Sequence, residues 1–336
     1  MPAFSFTAPH ITPEQEREEK ECLDDELRQQ IQAEMYGLDS THIDHDEPHT
    51  TSQESLDLLE QDMEKLPPRQ KKEYFEALAL VPHLVQTESE PSRFLHCEKG
   101  NVEAAATRLA LYWKIRRKLF GEHRAYLPMS LTGAMAQDKD LFESGFIAVH
   151  PNDENGRTVV FVDRIRAIPP FATRDATLRC LFFMIHTLIF DIWPSSHTRG
   201  CIGIVNIKGY DLYKHFDRLM SKHLAIIFLH CMPMKIKAFH LLTGSADGVM
   251  SLILPSMKQV MGKECRLRMK VHSGNDDKML ESLKPYGLTS RHLSDALGGE
   301  FKYDDFVEWL ERWKGTHERK DFSISSTQPD EFSDSE

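Results

Sequence analysis

Residues Met232–Gly274, MPMKIKAFHLLTGSADGVMSLILPSMKQVMGKECRLRMKVHSG, decide the fold. Ala238–Leu242 is an apolar run of strand length, and Arg268–Val271 is a second. Between them Gly244 and Gly262 bracket a segment in which Met250, Ile253, Met257 and Met261 recur at helical spacing. Strand, amphipathic helix and strand therefore follow one another, with a glycine at each junction. Such a unit is either an ordinary crossover helix packed on a sheet or a movable lid over an apolar space. Pro255 removes a backbone hydrogen bond inside the helix and invites a kink, and a methionine-rich stripe suits irregular or changing contacts. Both features favour the lid, with Gly244 and Gly262 as its hinges and Val249 and Ile253 facing the space beneath.

Upstream the same alternation repeats. Phe146–Val149 and Thr158–Val162 read as strands joined by a polar turn through Pro151, Asn155 and Gly156, an antiparallel hairpin. The helix Arg174–Trp193, the strand Cys201–Ile207 and the helix Leu212–His223 then lead into Met232–Gly274. Strands alternating with helices imply crossovers and a parallel sheet, which the hairpin makes mixed. The fold class is α/β, with a mixed, mostly parallel β-sheet and crossover helices enclosing a hydrophobic cavity. Leu178–Trp193 is apolar nearly all round, so it is covered on every side, by core alone or by core and an apolar ligand. On the second reading Phe183, Thr187, Ile204 and Phe239 line the cavity with Val249 and Ile253.

A small all-α domain precedes the sheet. From Leu56 to Phe120 the pattern is helical, punctuated by Pro67, Pro68 and Pro91. Asn101 is placed to N-cap a helix carrying the stripe Val102, Ala105, Leu109 and Trp113, and the basic run Lys114–Lys118 suits its C-terminal end.

The chain has 336 residues, 40% hydrophobic, enough for a sizeable core. Its formal net charge of −11 argues against nucleic-acid binding. Acidic residues crowd both ends, so 1–53 and 316–336 are expected to be disordered tails, with a possible helix near Glu16–Tyr36. Six cysteines without a CxxC pair, and an N-terminus lacking a secretory pattern, point to a reducing, cytoplasmic setting. The apolar run Leu181–Trp193, interrupted by His186 and Asp191, is shorter than the roughly 20 residues that span a bilayer. No GxSxG, Walker, HExxH or GxGxxG pattern is present, so neither an enzyme nor a cofactor is expected. His42–Glu47 has no recognised ligand spacing and reads as solvated acidic tail, and His223, His230 and Cys231 are near one another in sequence without a geometry that makes them a metal site.

MPMKIKAFHLL, LPSM, KVHSG and LSDALGGEFKYDDFVEWL, together with SRFLHCEKGNVEAAATRLALYWKIRR and NGRTVVFV upstream, resemble successive blocks of the CRAL-TRIO (Sec14-like) family. The retinaldehyde-binding and tocopherol-transfer branch is the most similar, and the likeness covers roughly residues 54–314. It implies a helical domain over 54–127 and a lipid-binding domain over 128–315. It also implies a non-enzymatic carrier of a small hydrophobic molecule that touches membranes transiently and peripherally. The alternative is a protein-interaction scaffold of the same fold without cargo. The resemblance places a phosphoinositide contact on Lys235, Lys237 and Arg268. Several positions depart from the family pattern: Glu98 stands where an arginine is usual, Asn206 where an aspartate is usual, and Met234 where the phosphatidylinositol-storing type has glutamate. His240 matches a family histidine and reads as structural.

Overall fold

The computed structural model describes residues 25–38, 52–168, 171–192, 199–244 and 263–325. A five-stranded sheet runs in chain order β1 (Ile147–His150), β2 (Thr158–Asp163), β3 (Cys201–Asn206), β4 (Ile236–Thr243) and β5 (Met269–Ser273). β1 is antiparallel to β2, whereas β2, β3, β4 and β5 are parallel. The expected mixed sheet is therefore the observed one. Register aligns Val160 with Gly203, Gly203 with Phe239 and Phe239 with Met269, a row across one face. Gly203 is required there, because a Cβ would lie 2.9 Å from the Phe239 ring.

Side chains alternate between the two faces of a strand, and each face has its own cover. One cluster joins Val160, Val162 and Cys201 to the helical layer, including Leu59 and Trp113. The other joins Phe161, Ile202, Ile204 and Leu242 to Ile31 and Met35. These last two belong to α1 (Asp25–Tyr36), which lies inside the possible helix near Glu16–Tyr36 but within the stretch otherwise expected to be a disordered tail. That expectation is corrected here for residues 25–38: an acidic composition hides Ile31 and Met35 at i, i+4 spacing, which bury about 1.5–3 kcal/mol of side chain each. Arg157 caps the end of α1, donating through Nη1 to Glu34 O at 2.6 Å and to Met35 O at 3.0 Å. The Tyr36 and Tyr286 rings stack at 4.7 Å.

α2 (Val102–Arg124) begins as its sequence requires, with the Asn101 side chain accepting from Ala104 N at 3.0 Å and Ala105, Leu109 and Trp113 buried. The helical path breaks at Gly121, at φ 80° and ψ −174°, so the basic run lies in the last turns before the kink, as expected. Arg116 is fully buried, ion-paired with Glu88 at 2.7 Å and donating to Ala125 O and Leu127 O at 2.8 Å each. α3 (Arg174–Thr187) continues into a π-helical turn, Leu188–Ile192, and α4 (Arg218–Ile226) into another, Ile227–Cys231. The single helix expected over Leu212–His223 is broken, because Asp217 accepts from Met220 N and starts α4 anew. α5 (Asp276–Leu283) covers the α1 face of the sheet through Met279 and Leu283. α6 (Tyr303–Ser325) packs Phe306, Leu310 and Trp313 into the core and extends beyond residue 315, where the second tail was expected to begin. Among the described residues, no helix is long and apolar enough to cross a membrane.

Candidate ligand cavity

The sheet face opposite α1 does not close fully against its helices. A cavity of about 140 Å³ lies between β2, β3 and β4 on one side and α3 and α4 on the other. The strands contribute alternate positions, Val160 and Val162, Cys201, Gly203 and Val205, Phe239 and Leu241. α3 contributes Leu181 and Ile185, one turn apart, and α4 with its π-turn contributes Met220, Leu224 and Phe228 at i, i+4, i+8. Gly203 leaves the cavity floor bare at its centre, and the π-turns that end both wall helices widen the helical register, a device common at functional sites.

The wall is almost wholly apolar. Cys201 and Cys265 line it as protonated thiols, since burial pushes both up to about 12. His240 touches the cavity, but its ring belongs to the opposite face: Nδ1 meets His272 Nε2 at 2.9 Å, and His272 Nδ1 meets Ser282 Oγ at 2.7 Å. Burial first, and His272 beside it, hold His240 well below the ordinary histidine value. It is a neutral structural residue. Among the described residues, no three His, Cys, Asp or Glu side chains cluster as a metal would need.

Of the six cavity residues expected from the sequence, Phe239 lines the space. Phe183 is buried elsewhere, against Phe142 at 4.9 Å and Trp313 at 5.5 Å. Thr187 shares that side of α3 and is buried off the wall, with its hydroxyl lacking a partner among the described residues. The wall positions Leu181 and Ile185 lie about 200° around the helix from Phe183 and Thr187. A helix apolar on all sides gives no phase from which to choose between these faces. Ile204 sits one residue out of the strand alternation and packs on the α1 face. Val249, Ile253 and the hinge Gly262 lie outside the described residues. Gly244 follows β4 and is exposed, with the Lys208 side chain 3.0 Å from where a Cβ would stand.

Lys237 and Arg268 are brought together and largely buried, whereas Lys235 is exposed. Arg268 Nη1 meets Glu34 Oε2 at 2.5 Å, and Lys237 Nζ meets Glu34 Oε1 at 3.3 Å. Burial raises the Glu34 carboxyl, and the two cations overcome it and hold it below its usual value. The carboxylate of α1 thus already holds two of the three residues expected to contact an anionic headgroup, Lys237 and Arg268. Glu98, which stands in place of the family's arginine, forms an ion pair with Arg108.

The wall residues of α4 were missed by the sequence reading, although Met220 and Leu224 form a legible stripe. Arg164, at the end of β2, was missed without any such signal.

With this geometry in place, comparison with known proteins gives the class. Residues 142–290, a little under half of the chain, match the family model described as CRAL/TRIO domain. The match spans β1 to α5 and so contains every strand and both helices of the cavity wall. A solved structure described as "Crystal structure of Sfh5" is similar at a TM-score of 0.42 and 13% identity, over 69% of this chain and 87% of that chain. No curated protein matches. The match of this segment supports, at the level of the family, the binding of a lipid or similar hydrophobic molecule.

Proposed function

We propose that this protein holds a small hydrophobic molecule between its sheet and α3 and α4 and carries it between membranes. The observation that supports the reading is an apolar cavity inside the segment that matches the CRAL/TRIO model, floored by a glycine where the strand pattern would otherwise place a side chain. Burying apolar surface there contributes about 25 cal/mol per Å². At about 140 Å³ the space takes a guest of benzene's size, so a tocopherol- or retinoid-sized ligand enters by displacing part of the wall. Contact with phosphoinositide headgroups through Lys235, Lys237 and Arg268 belongs to this reading only in a state where α1 has moved, because Glu34 holds two of the three. The test is transfer of a fluorescent lipid from donor to acceptor vesicles. Acceleration in proportion to protein concentration is expected; an unchanged rate with well-folded protein would replace the carrier by a scaffold.

A further inference from the structure

Arg164 is the one charged side chain among the described residues that line the cavity. It follows β2 directly, and its guanidinium is held in place from one side only. Nη2 donates to Tyr210 Oη at 3.1 Å, and the guanidinium carbon lies 5.2 Å from the centre of the Tyr210 ring. Tyr210 in turn donates to His215 O at 3.4 Å. Nη1 is buried and has no hydrogen-bond partner among the described residues. The nearest carboxylate in sequence is committed elsewhere: Asp163 Oδ1 accepts from Asn206 Nδ2 at 3.1 Å and from Ile165 N at 3.3 Å, and its Oδ2 lies 3.6 Å from Arg166 Nε.

Other buried guanidiniums of this fold are treated differently. Arg116 meets Glu88 at 2.7 Å, Arg157 meets Asp153 at 2.6 Å and Arg179 meets Asp138 at 2.7 Å. Among the described residues Arg164 has no such carboxylate, and it lines an apolar space. A guanidinium stays charged at any physiological pH, and a buried N–H without an acceptor is costly. The missing partner is an anion with planar acceptor oxygens, attached to something apolar enough for the rest of the wall.

We propose that Arg164 is the headgroup residue of the cavity and that the ligand is a long-chain carboxylic acid, bound as its carboxylate. The carboxylate takes the Nη1–H, while the chain lies along Val162, Val205 and Leu241 towards Phe239. A phosphate headgroup fits less well. It carries more charge and more oxygens than the two N–H groups of Nη1 can satisfy, and the described residues of the wall supply no second cation. A neutral alcohol or ester would accept the same hydrogen bond without neutralising the guanidinium, so it binds more weakly. This inference rests on the carrier reading and names the chemistry of its cargo.

Equilibrium binding of radiolabelled palmitate, methyl palmitate and hexadecanol to the full chain tests it. Wild type is expected to bind palmitate about ten- to a hundredfold more tightly than methyl palmitate or hexadecanol, the range of one charge-assisted hydrogen bond. In Arg164→Met that preference should fall to within about twofold while methyl palmitate binding is retained, which also shows that the cavity is intact. Arg164→Lys, which keeps the charge but loses the fork, should keep part of the preference. Binding of all three probes with equal affinity by wild type, or an undiminished preference in Arg164→Met, overturns the inference and leaves the carrier intact. Binding of none of them overturns the carrier reading, and this inference with it.

Discussion

Replacing Glu34 by Gln separates the two roles that the α1 face combines. The carboxylate lies 2.5 Å from Arg268 and 3.3 Å from Lys237, with all three side chains only 10–12% exposed. Removing one partner of a well-buried pair costs about 3–5 kcal/mol. Residual exposure and an amide that still accepts one hydrogen bond reduce this to about 2–3 kcal/mol. The cost falls first on α1, which the chain can release without opening the rest of the core. Backbone amides of residues 28–36 should therefore exchange with deuterium about 30- to 150-fold faster in the variant, while those of β2 and β3 keep their protection. Association with vesicles containing phosphoinositides should rise in the same variant, because Lys237 and Arg268 no longer face the Glu34 carboxylate, and the gain should fade at high salt. Unchanged exchange in α1 would refute the ion triad. Faster exchange with no gain in vesicle association would keep the triad and remove these cations from membrane recognition.

Arg116→Met removes the partner of Glu88 and two carbonyl hydrogen bonds in a fully buried position, so the urea midpoint should drop by the equivalent of about 3–5 kcal/mol with an unchanged slope. Ala225→Phe adds bulk to the cavity wall and should reduce uptake of an apolar fluorophore at a stability cost of no more than about 1–3 kcal/mol; undiminished uptake by the folded variant would take Ala225 off the wall. Burial pushes His150 down to about 3 and His272 down to about 4, so both are neutral in the fold. The unfolded chain takes up these protons near pH 6.5, so stability is complete above that value and is lost as the pH falls towards 4. Urea titrations at pH 7 and pH 5 should differ by about 2–4 kcal/mol, and equal values would place these rings in water.

The order and direction of the strands were legible because each is a short apolar run bounded by turn residues, and Cys201–Asn206 and Thr158–Asp163 differ from their expected ends by one residue. Asn101 was legible for a local reason: a cap is written in one residue and its third neighbour. The cavity wall was harder. Strand parity assigns Ile204 to a face only when the cavity face is known, and the pattern of β3 is apolar on both sides. The same ambiguity on α3 placed Phe183 and Thr187 one face away from Leu181 and Ile185. α1 was legible only as a possible helix near Glu16–Tyr36; its docking was not, because its apolar positions gain meaning only from the sheet face that they cover, and because Glu34 is a lone carboxylate until it meets Lys237 and Arg268 across about 200 residues of chain. Arg164 carries no sequence signal, since what distinguishes it is the carboxylate that its neighbours do not provide.

The central claim is that the cavity holds cargo. Native mass spectrometry of the full chain, purified without detergent, weighs that cargo directly. The account predicts a stoichiometric adduct that is released on denaturation and extracted as an apolar molecule, at reduced occupancy in Ala225→Phe. Repeated preparations at the bare chain mass, which stay bare after incubation with lipid vesicles, would contradict it.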